Sequence, residues 1–572
     1  MNNENQNIEI NPNVDVNQNM GLNQNVELGQ NMNISPEINS VPNNDKPKKS
    51  SSGTAIVLII ICLLIAGGVA LYFFKDSLFG NKNVTNNTTN TTNTTPVELK
   101  ASYRLNGNGL NDFDIAFMQI ENNGKNKVYS PLSIKYALYM LDEAADGDTK
   151  VQLDAILGDY KVYTYPNSAN MSFANAMFIK NDYKEKILSS YVDTLKSKYS
   201  AEVKYDSFEN PDTLNSWIKD KTLKLIDEMF DESISEYDYF LVNALAIDME
   251  WVNKIQKLND DYYFQLDHAS VNLGDDDKTT GFYVSALASS GYRSIDFDGD
   301  FKAATVELAA VANKYDIISE LGEENIRSTV QTEYEKFVEE YGEDERFNID
   351  TFIEELKSNY KKTSSSTDFL FYNNDDIKVF AKDLKTYNNK TLQYVGIMPK
   401  NVSLTDYIKN IDATKVNTLI SSLKTLDLNS FEDGYLTYVH GRIPIFEYEY
   451  ELDLLEDLKT MGIKDAFDVE KANLSKMTSA PSYIASAKHK ANINFSNDGI
   501  KAAAATTLGG KGAAALEFDY YFDIPVIEID LTFDNPYLYI IRDKDTGEVW
   551  FAGAVYEPTK YTDEINKVFQ DW

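Results

Sequence analysis

The chain has 572 residues, of which 43% are hydrophobic and 12% aromatic, so it can bury a sizeable core. Its formal net charge of −35 argues against a nucleic-acid partner, because a phosphate backbone attracts Lys and Arg and repels an acidic surface. The single cysteine, Cys62, excludes an intrachain disulfide and a cysteine-based metal site.

The first 74 residues combine a polar tail with an apolar run. Residues 1–53 are rich in Asn and poor in aromatic residues, which predicts a disordered tail. Residues 54–74 carry no charge, and at about 1.5 Å per residue they span roughly 30 Å, the hydrocarbon thickness of a bilayer. Lys46, Lys48 and Lys49 precede the run. The positive-inside rule therefore predicts a single-pass cell-membrane protein with a cytoplasmic N-terminus and an extracellular remainder.

The small residues Ala66 to Ala70 leave cleavage of this run open as the alternative to a retained anchor. Residues 75–97 follow as a tether, composed almost entirely of Asn and Thr from Asn83 to Pro96. Its Asn-x-Thr triplets matter only in a glycosylating host. The composition predicts a flexible stalk that lifts the next domain off the membrane.

From residue 98 to residue 560, helical and strand patterns alternate without a regular βαβ order, which indicates the α+β class. In chain order, the patterns predict a strand that leads into a helix over Asn126 to Ala145, an amphipathic helix over Leu214 to Phe230, a doubly buried strand over Phe240 to Ile247, helices within 319–360, a half-buried strand over Ile443 to Tyr450, a helix over Leu452 to Met461 capped by Gly462, and two strands joined by a turn over Pro536 to Val555.

Five separated segments of this domain resemble the serpin family, and they occur in the family's order. They are Asn126 to Ile134 with Gly147-Asp148-Thr149; Leu241-Val242-Asn243-Ala244 with Trp251; Met461 to Phe467 with Asn473-Leu474-Ser475; His489-Lys490-Ala491 with Gly499 and Ala502 to Thr506; and Phe533 to Tyr537 with Ile541-Arg542-Asp543, Gly547, Phe551, Gly553 and Pro558.

The resemblance implies a serpin fold over residues 98–560, with large mixed β-sheets surrounded by helices and an exposed reactive-centre loop at 497–532. Residues from about 260 to 380 match the family poorly and are expected to form an expanded insertion, and 561–572 a C-terminal extension. The resemblance also implies that a target protease cleaves the loop, which then inserts into the main sheet as a new strand. For about 14 inserted residues the travel is on the order of 45 Å. We expect a monomer.

The predicted inserting hinge is rich in alanine. Because strand side chains alternate between faces, every second residue must enter the packed interior. An alanine run taken alone would be interpreted as a helix, and the flanking matches decide against that interpretation. Gly499 provides a pivot; the inward set after it is Ile500, Ala502, Ala504 and Thr506, and the outward set is Lys501, Ala503, Ala505 and Thr507.

The hinge departs from the family pattern in two ways. Ile500 stands where inhibitory members usually have Thr or Ser; it is apolar and β-branched, so insertion is expected to survive at a slower rate. Lys501 and Asn497 replace acidic residues, which puts the native tethering of the hinge in doubt.

The resemblance also assigns a buried sheet-opening cluster, placed where strands part during insertion. It consists of Ser130, Ser133, Asn243 and His489, with Trp251 at the point where the loop first enters. Ordinary core packing is the alternative interpretation for His489 and Trp251, and neither is expected to be catalytic.

The position of the cleaved bond depends on which end of the loop is counted from. Counting from Gly499 predicts Ala513-Ala514, which suits an elastase-like or subtilisin-like protease, whereas counting back from Pro536 leads to the neighbourhood of Pro525. The segment is about a dozen residues longer than the family pattern, and we place the extra residues in Leu516 to Ile524. The alternative specificity residues are Lys511, Leu516 and Phe518.

The sequence therefore favours a suicide inhibitor of serine or cysteine proteases, displayed on the outer face of a membrane. The alternative is a non-inhibitory serpin that acts as a surface binding or structural protein; bulky or charged inward hinge residues would favour it, and only Ile500 does. With three histidines and no GxSxG, HExxH, P-loop or GxGxxG motif, we expect no enzymatic activity, no metal and no cofactor.

Overall fold

A computed structural model describes the chain over residues 103–230, 233–253, 255, 270–272, 281–282, 294–299, 301–343, 348–359, 363–364, 369–425, 427–500, 521–522 and 525–562. The predicted tail, apolar run and tether lie outside these residues, as do the loop residues 501–520 and residues 563–572. Among the helices of the described ranges, none is long and apolar enough to cross a membrane.

The described α-helices are α1 (Asp112–Ile120), α2 (Pro131–Ala144), α3 (Gly147–Leu157), α4 (Ser189–Tyr199), α5 (Asp212–Lys221), α6 (Ile317–Leu321), α7 (Glu323–Tyr341), α8 (Ile349–Asn359), α9 (Leu404–Asn410), α10 (Ala413–Ser422) and α11 (Leu454–Met461). The strands are β1 (Lys127–Tyr129), β2 (Met171–Lys180), β3 (Glu202–Asp206), β4 (Tyr239–Ile247), β5 (Met249–Glu250), β6 (Ser270–Asn272), β7 (Gly281–Phe282), β8 (Ser294–Phe297), β9 (Phe301–Asn313), β10 (Thr363–Ser364), β11 (Phe369–Asn373), β12 (Ile377–Asp383), β13 (Leu392–Pro399), β14 (Leu436–Pro444), β15 (Phe446–Asp453), β16 (Lys488–Phe495), β17 (Gly499–Ile500), β18 (Tyr521–Phe522), β19 (Val526–Asp530), β20 (Tyr537–Asp543) and β21 (Val549–Val555).

Local signals explain several of these boundaries. The hydroxyl of Ser130 accepts from the backbone N–H of Ser133 and so caps α2, whose first residue is Pro131. At the end of α11, Gly462 has a φ of 115°, a conformation that glycine adopts without steric cost. The predicted strand-then-helix at 126–145, the helix ending at Gly462 and the paired strands over 536–555 are confirmed. Helices within 319–360 are also confirmed.

The amphipathic pattern from Leu214 to Phe230 was interpreted wrongly as one helix. Helix α5 ends at Lys221, and Leu223 and Lys224 then have φ values of 54° and 64°, which a right-handed helix cannot contain. Apolar side chains before and after this point are nevertheless buried in one cluster, which includes Leu214, Trp217, Ile218 and Ile226.

The single strand predicted over Ile443 to Tyr450 is also wrong, because the chain changes sheets within it. β14 ends at Pro444 and β15 begins at Phe446. Between them, the backbone N–H of Ile445 donates to the backbone oxygen of Ala304 in β9 at 3.0 Å. The predicted burial of β4 on both faces holds only for its C-terminal part, since Tyr239, Phe240 and Leu241 are half-exposed.

The core is built around a six-stranded sheet in the order β1-β21-β20-β13-β12-β11, in which every residue of β13 and β21 is buried. A second sheet has the order β10-β9-β14-β19, with β8 also paired to β9. Two further sheets, β3-β2-β4 and β15-β16-β17-β5, contact the same interior: α2 packs on β4, and β1 packs on β15 and β16. This mixture of helices and sheets is the α+β class that the sequence predicts.

A buried ion cluster ties the start of the domain to its C-terminal hairpin. The Nζ of Lys135 lies 2.6 Å from the Oδ1 of Asp114 and 2.7 Å from the Oε1 of Glu548, and all three side chains are almost fully buried. Glu548 also accepts a hydrogen bond from the side chain of Asn108 at 3.3 Å. The backbone N–H of Leu105 donates to the oxygen of Ile156 at 2.7 Å. The first described residues are therefore held to α2, α3 and the turn between β20 and β21.

Candidate functional site

A slot separates strands β4 and β16. β4 is hydrogen-bonded along one edge to β2, and β16 along one edge to β15, but no ladder joins β4 to β16 within the described ranges. A cavity of about 310 Å³ lies between their facing edges. Because β17 is antiparallel to both β5 and β16, the chain segment of β4 and β5 runs parallel to β16. The slot therefore presents two open edges that an antiparallel strand can join.

β17 fills one end of the slot, which we call the hinge end. On one side Gly499 is opposite Glu250 and Ile500 is opposite Met249, and on the other side Ile500 is opposite Phe495. A Cβ on Gly499 would lie 2.2 Å from the backbone oxygen of Met249, so a larger residue does not fit there. Ile500 is only 3% exposed. The first two residues of the predicted hinge thus occupy a strand position in the resting protein.

The predicted cluster residues on α2, β4 and β16 lie together beneath the middle of the slot. The backbone N–H of Ser130 donates to the Nε2 of His489 at 2.9 Å, and the hydroxyl oxygen of Ser130 accepts from the backbone N–H of Ser133 at 3.1 Å. The hydroxyl of Ser133 donates to the backbone oxygen of Asn243 at 3.4 Å. The first turn of α2 thereby connects the two edges of the slot. The sheet-opening role of these four residues stays a prediction.

Asn175 on β2 extends this cluster, and the sequence interpretation missed it. The side-chain nitrogen of Asn243 donates to the Oδ1 of Asn175 at 2.7 Å. The side-chain nitrogen of Asn175 donates in turn to the backbone oxygen of Tyr199, at the end of α4, at 2.9 Å. Asn175 is a polar residue in a mostly apolar stretch of β2, and a buried polar side chain needs a hydrogen-bonding partner. This pattern is the signal from which its place in the cluster could have been predicted.

His489 is neutral in this environment. Burial without a compensating negative charge lowers its pKa to about 4. Its Nε2 accepts the hydrogen bond from Ser130, which places the remaining ring proton on Nδ1. Protonation would turn Nε2 into a donor that faces the N–H donor of Ser130. Acidification would therefore break the hydrogen bond that joins the start of α2 to β16.

We expect the His489→Gln variant to lose part of the pH dependence of folding stability. The folded pKa of His489 lies below the unfolded value near 6.5, so its contribution is fully present above pH 6.5 and declines as the pH falls towards 4, by up to about 3 kcal/mol. Glutamine cannot gain this proton. The measurement is urea unfolding of both proteins at pH 7.5, 5.5 and 4.5. The same change in the free energy of unfolding with pH in both proteins would contradict the expectation.

Trp251 lies at the hinge end and is not part of the polar cluster. Its ring is fully buried, and the indole Nε1 donates to the backbone oxygen of Ser496 at 2.9 Å. The ring packs edge-on against Phe495, with 5.5 Å between ring centroids. Its backbone N–H donates to the oxygen of Asp498 at 3.0 Å, and the N–H of Ile255 donates to the oxygen of Asn497 at 2.8 Å. These backbone contacts hold the chain just before the hinge.

Residues 501–520 of the predicted loop lie outside the described residues. This applies to the hinge residues Lys501, Ala502, Ala503, Ala504, Ala505, Thr506 and Thr507, to the predicted bond Ala513-Ala514, and to the alternatives Lys511, Leu516 and Phe518. Only Gly499 and Ile500 of the hinge can be placed.

Comparison with known proteins bears on this arrangement. The family model described as "Serpin (serine protease inhibitor)" matches residues 111–272 and 334–558 of the chain. Rat glia-derived nexin is 25% identical over 459 residues, which cover 76% of this chain and 88% of the nexin. Mouse leukocyte elastase inhibitor A is 29% identical over 173 residues, which cover 30% of this chain and 42% of that protein.

Among solved structures, the native state of the thermophilic serpin tengpin is similar in fold. The TM-score is 0.52 at 21% sequence identity, and the match covers 79% of this chain and 97% of tengpin. The family model leaves out residues 273–333, which fall inside the insertion predicted at about 260–380.

Proposed function

The chain belongs to the serpin family, and we propose that it is a suicide inhibitor of serine or cysteine proteases that acts by cleavage and insertion of its reactive-centre loop. One observation carries the proposal: the slot between β4 and β16 is open, and the first residues of the loop already lie at its hinge end. A strand that follows Ile500 down the slot would complete the sheet.

The two edges of the slot predict the same register for such a strand. Continued without a bulge, the pairing of Ile500 with Met249 brings Thr506 opposite Asn243 on β4. Continued along β16, the pairing of Ile500 with Phe495 brings Thr506 opposite His489. Asn243 and His489 belong to one hydrogen-bonded cluster, so the two extrapolations agree. Thr506 would then enter the sheet above the polar cluster.

The burial pattern of β16 supports the predicted inward set. Along this strand the odd-numbered residues, from His489 to Phe495, are buried and the even-numbered ones are partly or fully exposed. Residues directly opposite each other in a sheet share a face. Ile500, opposite Phe495, is accordingly buried, and Ala502, Ala504 and Thr506 would follow on the same face. Small or uncharged residues at these positions suit insertion.

The length of the slot supports a bond beyond residue 510. β4 begins at Tyr239, which the continued register places opposite Gly510. An inserted strand would therefore use the loop up to about Gly510, and we retain Ala513-Ala514 as the proposed bond. Its small side chains suit an elastase-like or subtilisin-like protease, and one similar protein carries the name leukocyte elastase inhibitor A. Lys511, Leu516 and Phe518 remain the alternatives.

Display on the outer face of a membrane is part of the proposal and rests on the apolar run at residues 54–74 and the lysines before it. An inhibitor held there by the tether at 75–97 would protect the cell surface. Detection of the domain on intact cells by an externally added antibody tests this part separately from inhibition.

Incubation of the protein with elastase, subtilisin, trypsin and chymotrypsin tests the inhibitory function. We expect an SDS-resistant complex with elastase or subtilisin, and a new N-terminus at Ala514. The cleaved chain should also resist unfolding by heat better than the intact chain, because insertion completes the open sheet. Clean cleavage without a complex and without a gain in stability would favour the non-inhibitory alternative.

A further inference from the structure

The segment that follows helix α5 ties the two sides of the slot together. Helix α5 packs on β2 and β4, with 5.7 Å between the ring centroids of Trp217 and Phe178. On the other side of the slot, the Nζ of Lys490 on β16 donates to the backbone oxygen of Glu228 at 2.9 Å. Four apolar side chains of the segment line the cavity of the slot: Leu225, Ile226, Met229 and Phe230. We call residues 222–230 the cover.

The cover contains two consecutive residues in the left-handed conformation. Leu223 has a φ of 54° and Lys224 a φ of 64°. Neither is a glycine, and a long L side chain is sterically unfavourable in this conformation. The start of the cover is therefore strained, and contacts elsewhere must hold it in place.

The side chain of Asn215 on α5 holds the far end of the cover. Its Oδ1 accepts from the backbone N–H of Met229 at 2.9 Å and from that of Phe230 at 3.1 Å. Its side-chain nitrogen donates to the backbone oxygen of Phe230 at 2.7 Å. The hydroxyl oxygen of Thr222 also accepts from the backbone N–H of Ile226 at 3.2 Å. These contacts fold the cover back along α5 and offset its strain.

The sequence of the cover favours a different conformation, a continuation of helix α5. Apolar residues recur at helical spacing from Leu214 to Phe230, and the cover contains no Gly or Pro. A continuous helix would place Phe230 about 22 Å along the axis from Asn215, so it excludes the contacts that Asn215 makes. Residues 231–238 reach about 28 Å when extended, so the helix can lengthen while β4 keeps its place. The cover thus has two mutually exclusive arrangements.

A strand that enters the slot acts directly on the cover. Beyond the hinge end, no strand of the described ranges lies between β4 and β16. An inserted strand would set β4 and β16 two strand spacings apart, about 9.6 Å. Because the cover is held to α5 on one side and to Lys490 on the other, this separation opposes the hydrogen bond between Lys490 and Glu228. Side chains of the inserted strand on the same face as Lys490 would also enter the cavity that the cover lines.

We propose that the cover is a conformational switch: loop insertion releases it from Lys490 and Asn215, and it then continues helix α5 to Phe230. This inference rests on the proposed function, because it concerns the same insertion. Loss of the strain at Leu223 and Lys224 would add to the stability of the inserted form.

Lys224→Gly tests the switch, because glycine should have opposite effects in the two arrangements. The side chain of Lys224 is exposed, so its removal leaves the core intact. In the intact protein, glycine accepts a positive φ without steric cost, and we expect the unfolding equilibrium constant in guanidinium to fall about fivefold. In the cleaved protein, residue 224 would lie inside a helix, where glycine is unfavourable, and we expect the constant to rise about fivefold.

Lys224→Ala is the matched control, since it removes the same side chain without adding backbone freedom. We expect it to change the unfolding constant of the intact protein by no more than about twofold, as is usual for a surface substitution. Alanine is the best helix former, so this variant should not destabilise the cleaved protein.

Hydrogen exchange followed by mass spectrometry observes the cover itself. In the wild type, the peptide that covers residues 222–230 is expected to exchange about tenfold more slowly after loop cleavage, because a helix gives its amides regular hydrogen bonds. The peptide from α5, Asp212–Lys221, serves as the internal reference. Unchanged or faster exchange in residues 222–230 would overturn the switch.

The outcomes separate the two proposals. If Lys224→Gly shifts the intact and the cleaved forms in the same direction, in a protein whose cleaved form gains stability, the switch alone is overturned. A wild-type protein that gains no stability after loop cleavage would overturn the proposed function and, with it, the switch.

Discussion

Under the proposed function, Ile500→Glu is expected to give a protein that the target protease cleaves and releases as a substrate. Ile500 is 3% exposed and lies between Met249 and Phe495. An unpaired carboxylate at this position would cost several kcal/mol, so the hinge would leave the slot and later insertion would begin against the same cost. Because each 1.4 kcal/mol is a factor of ten in rate, we expect the yield of SDS-resistant complex to fall by about 100-fold.

Lys501→Glu is the matched control, since it introduces the same side chain one residue further along. In an inserted strand, the alternation of side chains predicts an outward position for residue 501. We expect this variant to retain most of the complex formation. The interpretation of the hinge fails if both variants inhibit equally well, or if Lys501→Glu is the more damaging. Cleavage by the protease should persist in both, which distinguishes lost inhibition from lost recognition.

Lys135→Met is expected to destabilise the domain by about 3–5 kcal/mol, as is typical when one member of a buried ion pair is removed. The Nζ of Lys135 contacts Asp114 and Glu548, and all three side chains are buried away from water. Burial and Glu548 already raise the pKa of Asp114 above its usual value, with Lys135 opposing them. The loss should therefore shrink as the pH falls and the orphaned carboxylate of Asp114 takes up a proton.

Lys409→Met provides the comparison, because it removes a lysine from an exposed pair. The side chain of Lys409 is 47% exposed, and its Nζ lies 2.8 Å from the Oδ1 of Asp406. Surface pairs of this kind contribute about 0–1 kcal/mol. Urea unfolding followed by tryptophan fluorescence measures both variants. A Lys135→Met protein as stable as Lys409→Met would show that the buried cluster contributes no net stability.

The sequence was informative where the structure depends on local signals or on residues that the family pattern marks. Ser130 and Pro131 predict the start of α2, and Gly462 predicts the end of α11. The resemblance also grouped Ser130, Ser133, Asn243 and His489, which the structure brings together although they are far apart in the chain.

Features that depend on tertiary contacts were not predictable. Leu223 and Lys224 leave the helical conformation although their segment has helical periodicity, and Ile226 beyond them still enters the same buried cluster as helix α5. Periodicity alone could not indicate that the chain changes sheets after Pro444. The pairing of Tyr521 with Ser270 joins segments about 250 residues apart, and no local signal specifies such a partner.

The ion cluster at Lys135 also determines how mechanical load would enter the domain. If the chain is held by its predicted anchor, a protease that pulls on the loop exerts a force through the tether to the first described residues. Leu105 is bonded to Ile156, and Asn108 to Glu548, so this force passes into α3 and the turn between β20 and β21. A pull on the loop enters instead at β17, which is paired with β5 and β16, so the stalk and the loop load different parts of the domain.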